Sequence, residues 1–265
     1  MKLLVLILGC KANPYPRLIQ CVKSTWGLLN VPNTKIYTYY GSTQLSQQKL
    51  IGDEIHLVTG DNNILGKTLE AYEFALRNFE FDYILRTSPS TFVRLDKLYE
   101  HLLDKNRTNY YAGHKLNIKL NYSQEHFFYT KEVIYPSGIA MIFSRDLLQH
   151  IVENKKYIDD RGFGDDFHIG LYLQRKEIFM TENIPHLLFT NYDINILKNT
   201  PKEELEKYMF FRCKTEMKDY LPVIAKTQPE FRNDDEKMNY LFELFYKEQY
   251  PIYFTKNEVS RINTG

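Results

Sequence analysis

Phe81-Asp82-Tyr83-Ile84-Leu85-Arg86-Thr87-Ser88-Pro89-Ser90-Thr91-Phe92-Val93 runs from apolar residues into a short polar loop and back out to apolar ones. The aromatic and β-branched content of Tyr83-Ile84-Leu85 predicts a buried strand, and Ser88-Pro89-Ser90 is a turn that no helix would tolerate. In an open α/β sheet, ligands bind outside the carboxyl ends of the strands. Arg86, Thr87, Ser88 and Ser90 are therefore expected to look into a cleft.

The flanking sequence extends this pattern. Leu3 to Leu8 is an apolar run at the short limit for a secretory signal and far below the ~20 residues of a membrane span, so it is read as a buried first strand. Asn13-Pro14-Tyr15-Pro16 is a loop, after which Leu18, Ile19, Val22, Trp26 and Leu29 fall at helical spacing, with Trp26, the only tryptophan, assigned to the core. Lys35–Tyr40 and Glu54–Val58 read as strands ending at Gly41 and at Thr59-Gly60-Asp61. Ile64–Phe79 carries a broad apolar face and reads as a helix packed on the sheet. A short helix over Leu95–Leu103 and a strand over Tyr110–Gly113 follow. From His114 to Lys131 the chain is polar and aromatic, which predicts an extended hairpin or loop over the cleft. Tyr122, Phe127, Phe128 and Tyr129 there either stack on a sugar ring or pack the loop down.

With 265 residues, 43% hydrophobic and 15% aromatic, the chain can bury the core of one large α/β domain. The expected organisation is a single domain over 1–265, with 200–265 as a helical extension packed on it and Met238–Tyr246 as an amphipathic closing helix. A net charge of +1 without a Lys/Arg run offers no field for nucleic acid, so any anion site is local. Cys10, Cys21 and Cys213 form no CxxC and leave an odd thiol, which fits a reducing compartment and a cytoplasmic location. No GxGxxG, P-loop lysine motif or Gly-x-Ser-x-Gly elbow is present.

Three stretches resemble the β1,3-galactosyltransferase and Fringe-like group of nucleotide-sugar transferases. Leu85 to Val93 stands where that group has an apolar strand, Lys or Arg, Thr or Ala, three aspartates and Thr/Val-Phe-Val; here Ser88-Pro89-Ser90 replaces the acids that hold a metal. Tyr135-Pro136, Gly138, Ile139 to Phe143 and Ser144-Arg145-Asp146-Leu147 match its Tyr-Pro, Gly, strand and Ser-x-Asp-Leu, with Ser144 as the expected helix N-cap. Asp165-Asp166-Phe167-His168-Ile169-Gly170 matches its Glu-Asp-Val-x-x-Gly at a helix start, preceded by Gly162 and Gly164. Ser24-Thr25-Trp26 and Lys67-Thr68 stand at two further positions of the group.

The resemblance implies a GT-A fold, Rossmann-like, with a mixed central sheet flanked by helices. It further implies an inverting transfer from a nucleotide sugar, UDP-linked, to a hydroxyl of a glycan or glycoconjugate, with Asp166 as base and Asp165 as the alternative. Donor contacts fall on Gly9, Lys67, Arg86, Thr87, Ser88, Ser90 and Arg212. Acceptor contacts fall on Tyr135, Gly138, Phe127 and Phe128. Each has a plainer reading: paired acids at a helix start complement its dipole, Lys67 is a solvated charge, and Tyr135 wedges under the loop. His186 is either a satisfied histidine or a metal ligand. Serine hydroxyls are poor ligands for Mg²⁺ or Mn²⁺, so no cofactor beyond the nucleotide-sugar co-substrate is required, the alternative being Mn²⁺ or Mg²⁺ on the diphosphate held by Asp165 or His186. The competing reading is a non-catalytic sugar- or nucleotide-binding protein on a transferase-like scaffold.

Overall fold

Alternate side chains of the first strand enter two different cores. Leu3, Val5 and Ile7 join a cluster with Leu18, Val22, Trp26, Tyr83 and Leu85, whereas Leu4 and Leu6 join Leu69, Tyr72, Ala75, Ile84 and Phe143 on the other face. These five residues are at most 1% exposed, as expected for a strand covered on both sides. The computed structural model describes residues 1–124, 127–158, 164–215 and 232–251, without the side chains of 120–131.

The chain begins with β1 (Leu3–Leu8), α1 (Tyr15–Lys23), β2 (Thr34–Gly41), β3 (Lys49–Ile51), β4 (Glu54–Leu57) and α2 (Ile64–Asn78). Next come β5 (Tyr83–Thr87), β6 (Thr91–Val93), α3 (Leu95–Leu103), β7 (Tyr111–Gln124), β8 (Phe127–Ser144) and α4 (Arg145–Glu153). After α5 (Asp165–Arg175) follow β9 (Glu182–Asn183), β10 (His186–Leu188), the one-turn helices α6 (Asn195–Lys198) and α7 (Lys202–Leu205), β11 (Phe210–Arg212) and α8 (Asp234–Tyr246). The main sheet has the order β3-β4-β2-β1-β5-β8-β7-β9, and a second small sheet has the order β10-β11-β6. Strands β4, β2, β1 and β5 are parallel, while β8 runs antiparallel to β5 and β7 to β8. This is the expected α/β fold with a mixed central sheet flanked by helices.

From β1 the chain builds outward to β2 and β4 on one side, then crosses to β5 on the other. That reversal opens a crevice above the carboxyl ends of β1 and β5. The Ser88-Pro89-Ser90 turn leaves β5 there and delivers β6 to the second sheet, where Thr91 faces Arg212 and Phe92 faces Phe211. One sequence segment thus joins both sheets.

Some local expectations are corrected. The helical spacing from Leu18 to Leu29 is not one helix: α1 stops at Lys23, and the hydroxyls of Ser24 and Thr25 return to the Cys21 carbonyl at 3.1 and 2.7 Å. These side-chain bonds compete with the next helical turn, and Trp26 sits on a separate 3₁₀ turn. Trp26 is fully buried, as expected, and its indole donates to the Thr91 carbonyl at 3.0 Å. Ser144 precedes α4 but makes no side-chain cap; its hydroxyl accepts the Tyr110 amide at 2.9 Å. Strand β3 was not expected, being only three residues long; Gly52 at φ +60° turns it back onto β4. Tyr135-Pro136 lies inside the long strand β8.

The segment from His114 to Lys131 belongs to the antiparallel hairpin of β7 and β8. At its base Gly113 takes φ +150°, and a Cβ there would lie 2.2 Å from the Ala140 carbonyl oxygen. The side chains of Tyr122, Phe127, Phe128 and Tyr129 lie outside the described residues, as does Gly162. Within 200–265, β11 is the middle strand of the second sheet and α8 buries Met238, Leu241, Phe242 and Tyr246; residues 216–231 and 252–265 lie outside the described residues. No helix among the described residues is long and apolar enough to cross a membrane.

Candidate functional site

A cavity of about 530 Å³ occupies the crevice. Its floor is the end of β1 with Gly9 and Cys10; its walls are Asp61 and Lys67, the Ser88-Pro89-Ser90 turn, Ser137 to Ile139 of β8, the start of α5, and Arg212 with Lys214. Three positive side chains in this wall were expected to face a diphosphate. The structure places them in different circumstances.

Lys67 is 1% exposed, and its ammonium donates to the Gly9 carbonyl at 2.8 Å and to the carbonyl and carboxylate of Asp61 at 2.7 and 2.8 Å. Its three donors are thereby used. Asp61 also accepts the amides of Lys11 and Gly41. Burial works to raise the Asp61 pKa, but the Lys67 hydrogen bond and these amides bring it below the ordinary carboxylate value. Lys67 and Asp61 tie the loop after β4 to the end of β1.

Arg86 is similarly enclosed. Nη2 lies 2.7 Å from each oxygen of Asp165, Nη1 donates to the Gly138 carbonyl, and Nε donates to the Tyr39 hydroxyl at 3.3 Å. Asp165 also accepts Thr68 Oγ1 at 2.7 Å. Both members of the pair are at most 3% exposed. Burial opposes the charge on Arg86, yet the carboxylate of Asp165 holds its pKa above the ordinary value.

Arg212, at the end of β11, has a different kind of neighbour. Its Nη1 donates to Ser88 Oγ at 2.6 Å, and Arg232 Nη2 donates to Ser90 Oγ at 2.8 Å. Desolvation, with Arg232 and Arg86 nearby, outweighs the attraction of Asp234 and lowers the Arg212 pKa. Ser88 and Ser90 are therefore neutral oxygens beside guanidinium groups. This donor set does not fit Mg²⁺ or Mn²⁺, which take carboxylate, carbonyl and water oxygens.

Asp166 faces the cavity from the first turn of α5. Oδ2 accepts the Gly138 amide at 2.7 Å and Oδ1 its neighbour Phe167's amide at 2.9 Å. Cβ atoms on Gly138 and Gly164 would fall 3.1 and 2.4 Å from its two oxygens. The carboxylate thus occupies space that only glycines leave. Burial first, then the charge of Asp165, raises its pKa above the ordinary value, against the opposing pull of Arg86 and the two amides. A partly dehydrated carboxylate of raised pKa at a cavity wall can accept a proton from a bound hydroxyl.

The remaining expected residues divide. Gly9, Ser88, Ser90 and Gly138 line the cavity. Thr87 is fully buried and donates to the Ile139 carbonyl at 2.6 Å. Tyr135 is 4% exposed and stacks edge-on with Phe167 at 5.5 Å, so it packs beneath the hairpin. His186 lies against His114, with ring centroids 3.8 Å apart, and its Nδ1 is buried without a hydrogen-bond partner. Burial, then His114 and Arg212, pushes its pKa down to about 3, which keeps it neutral. Among the described residues no three His, Cys, Asp or Glu side chains are grouped to hold a metal. Sequence reasoning missed Asp61, Tyr39 and Arg232 as parts of the site. Asp61 carried a signal, since it ends the polar turn after a strand; Tyr39 meets Arg86, and Arg232 meets Ser90, only across the fold.

The sequence matches no protein-family model and no curated protein. Among solved structures it is similar to the glycosyltransferase GlyE of Streptococcus pneumoniae TIGR4, in the apo form and in a second structure. Identities are 14% and 16% with TM-scores of 0.43 and 0.45, and the alignments cover 92% of this chain. The chain spans 63% and 64% of those two chains. It is also similar to the 2-C-methyl-D-erythritol 4-phosphate cytidylyltransferase of Francisella tularensis, at 9% identity and a TM-score of 0.37, covering 78% of this chain and 97% of that one. At these scores neither likeness assigns an activity.

Proposed function

We propose that this protein is an inverting glycosyltransferase of the GT-A type that moves a sugar from a nucleotide sugar, UDP-linked, to a hydroxyl of a glycan or glycoconjugate. The observation that carries the reading is Asp166, held by the Gly138 amide on one side of the cavity with Arg212 and Ser88 also in its wall. A base and an anion site in one crevice are what such a transfer needs. The Asp166 carboxylate takes the acceptor hydroxyl proton as that oxygen bonds to the anomeric carbon. The bond from that carbon to the diphosphate oxygen breaks on the opposite face, and the diphosphate leaves with the electron pair. Arg212, with the Ser88 and Ser90 hydroxyls, stabilises the charge on the leaving group.

Lys67, whose three donors are committed to protein oxygens, and Arg86, paired with Asp165, brace the cavity wall. The proposed reaction is metal-independent, a reading supported by Arg212 and Arg232 donating to the neutral Ser88 and Ser90 hydroxyls. The three free cysteines suit a cytoplasmic location.

The test is a screen of UDP-, GDP-, CMP- and dTDP-sugars for thermal stabilisation, followed by measurement of nucleotide release. A ligand at 100 times its Kd adds ~2.7 kcal/mol of stability. Stabilisation with nucleotide release supports the transferase. Stabilisation without release, in the presence of varied acceptors, favours the non-catalytic binding protein.

A further inference from the structure

Arg86 grips Asp166 from two sides. Through Nη2 it holds Asp165, the residue before the base, and through Nη1 it holds the carbonyl of Gly138, whose own amide donates to the base. Tyr39 and Thr68 complete the enclosure: the Tyr39 hydroxyl accepts from Arg86 Nε and lies 2.9 Å from Thr68 Oγ1, which in turn donates to Asp165. The elements joined are β2, α2, β5, β8 and α5, so the start of α5 is pinned to the end of the central sheet.

We infer that the buried Arg86–Asp165 pair, with Gly138, is a positioning device that sets the orientation and the ionisation of Asp166, and that Arg86 is not a ligand of the donor diphosphate. The inference rests on the reading of Asp166 as base. Each Arg86 nitrogen already has a protein acceptor, and its charge is matched by the buried Asp165 carboxylate 2.7 Å away, whereas Arg212 Nη1 donates to the neutral Ser88 hydroxyl. The fit at Gly138 is tight on both sides: a Cβ there would lie 3.0 Å from Arg86 Nη1 and 3.1 Å from Asp166 Oδ2. Any side chain at this position must displace the arginine or the base.

The groups facing Asp166 are Asp165 beside it on α5, Arg86 from β5, and the phenols of Tyr111 from β7 and Tyr135 from β8. Both phenols are pushed up by burial and then by Asp166, and so remain neutral. The two charged neighbours act in opposite directions: Asp165 raises the Asp166 pKa and Arg86 lowers it. Removing one or the other must therefore move the base in opposite senses.

The test uses Arg86→Gln, Asp165→Asn, Gly138→Ala and the charge-preserving Arg86→Lys in the full chain. The Asp166 carboxyl is followed by carbon-13 NMR across pH, assigned by its loss in Asp166→Asn, and UDP affinity is measured by calorimetry. Its titration midpoint is expected to rise in Arg86→Gln and fall in Asp165→Asn. With an active nucleotide sugar, kcat should drop roughly ten- to a hundred-fold in Arg86→Gln and Gly138→Ala, the scale of a misplaced catalytic group. Arg86→Lys, which keeps the charge, should retain more turnover than Arg86→Gln. UDP affinity should stay within about twofold throughout, a change of ~0.4 kcal/mol. Arg86→Lys and Asp165→Asn keep the test open if Arg86→Gln does not fold. Midpoints that do not move, or a loss of UDP affinity matching the loss of kcat, would overturn the inference. If the parent turns over no nucleotide sugar, the transferase reading fails while the carboxyl titration still decides this one.

Discussion

The cavity has two differently built walls. On the side formed by β5, β8 and α5, Arg86 and Asp165 neutralise each other in the interior and leave Asp166 as the carboxylate presented to the cavity. On the side formed by the Ser88-Pro89-Ser90 turn and β11, Arg212 and Arg232 donate to serine hydroxyls. The same residue type, arginine, supports a structure on one side and presents charge on the other. The difference lies in the partner: the buried Asp165 carboxylate meets Arg86 with both oxygens, whereas Arg212 gives its hydrogen bond to a neutral hydroxyl and the nearby carboxylate, Asp234, is engaged by Arg232.

The largest effect that can break this comparison is at the acidic wall. Asp166→Asn is expected to lower kcat by roughly 10²–10⁴-fold, the range for a general base, with nucleotide affinity retained. Turnover near the parental level would remove Asp166 from the mechanism. In the parent, the base must be ionised, so kcat/KM should rise with pH through a midpoint above the ordinary carboxylate value of 3.8, in the raised direction that burial and Asp165 impose. A pH–rate profile already flat from that value upward contradicts this.

The next effect belongs to the basic wall. Arg212→Ala should weaken UDP binding by ~1.5–3 kcal/mol, the range for a charge-assisted hydrogen bond, as read by calorimetry. Equal UDP affinities in Arg212→Ala and the parent would leave the two walls indistinguishable as anion sites.

Lys67 sharpens the comparison from the stability side. Lys67→Met leaves Asp61 without its cation and should cost about 1–3 kcal/mol in urea unfolding, the penalty for an unsatisfied polar group, with the 23% exposure of Asp61 keeping it below that of a fully buried pair. Asp61 has a lowered pKa in the folded state, so its contribution is present above the ordinary value of 3.8 and is lost as pH falls through the lowered one. The gap between parent and variant should close over that window. A gap that persists at the acid end assigns the effect to packing. The smallest effect concerns metal: turnover is expected to be unchanged by EDTA, and loss restored by Mn²⁺ would reject the role given to Arg212.

Much of the architecture was legible because it follows from local pattern. The unbroken apolar run Leu3–Leu8 and the face of Leu65, Leu69, Tyr72 and Ala75 report burial through spacing alone, and the proline at position 89 ends β5 without help from the fold. The same logic failed at Ser24 and Thr25, whose side-chain bonds to Cys21 stop a helix that apolar spacing would continue.

The sequence by itself determined that a polar turn with an arginine before it follows a buried strand, that two acids open a helix, and that no acid occupies positions 88 to 90. It did not determine which charges meet. Arg86 and Asp165 are 79 residues apart, Lys67 and Gly9 are 58 apart, and Arg212 and Ser88 are 124 apart. Only the crossing from β4 over β1 to β5, with the return of β11 beside β6, brings these groups together. A charged side chain's role depends on the partner and the water left around it, and both are properties of the assembled interior.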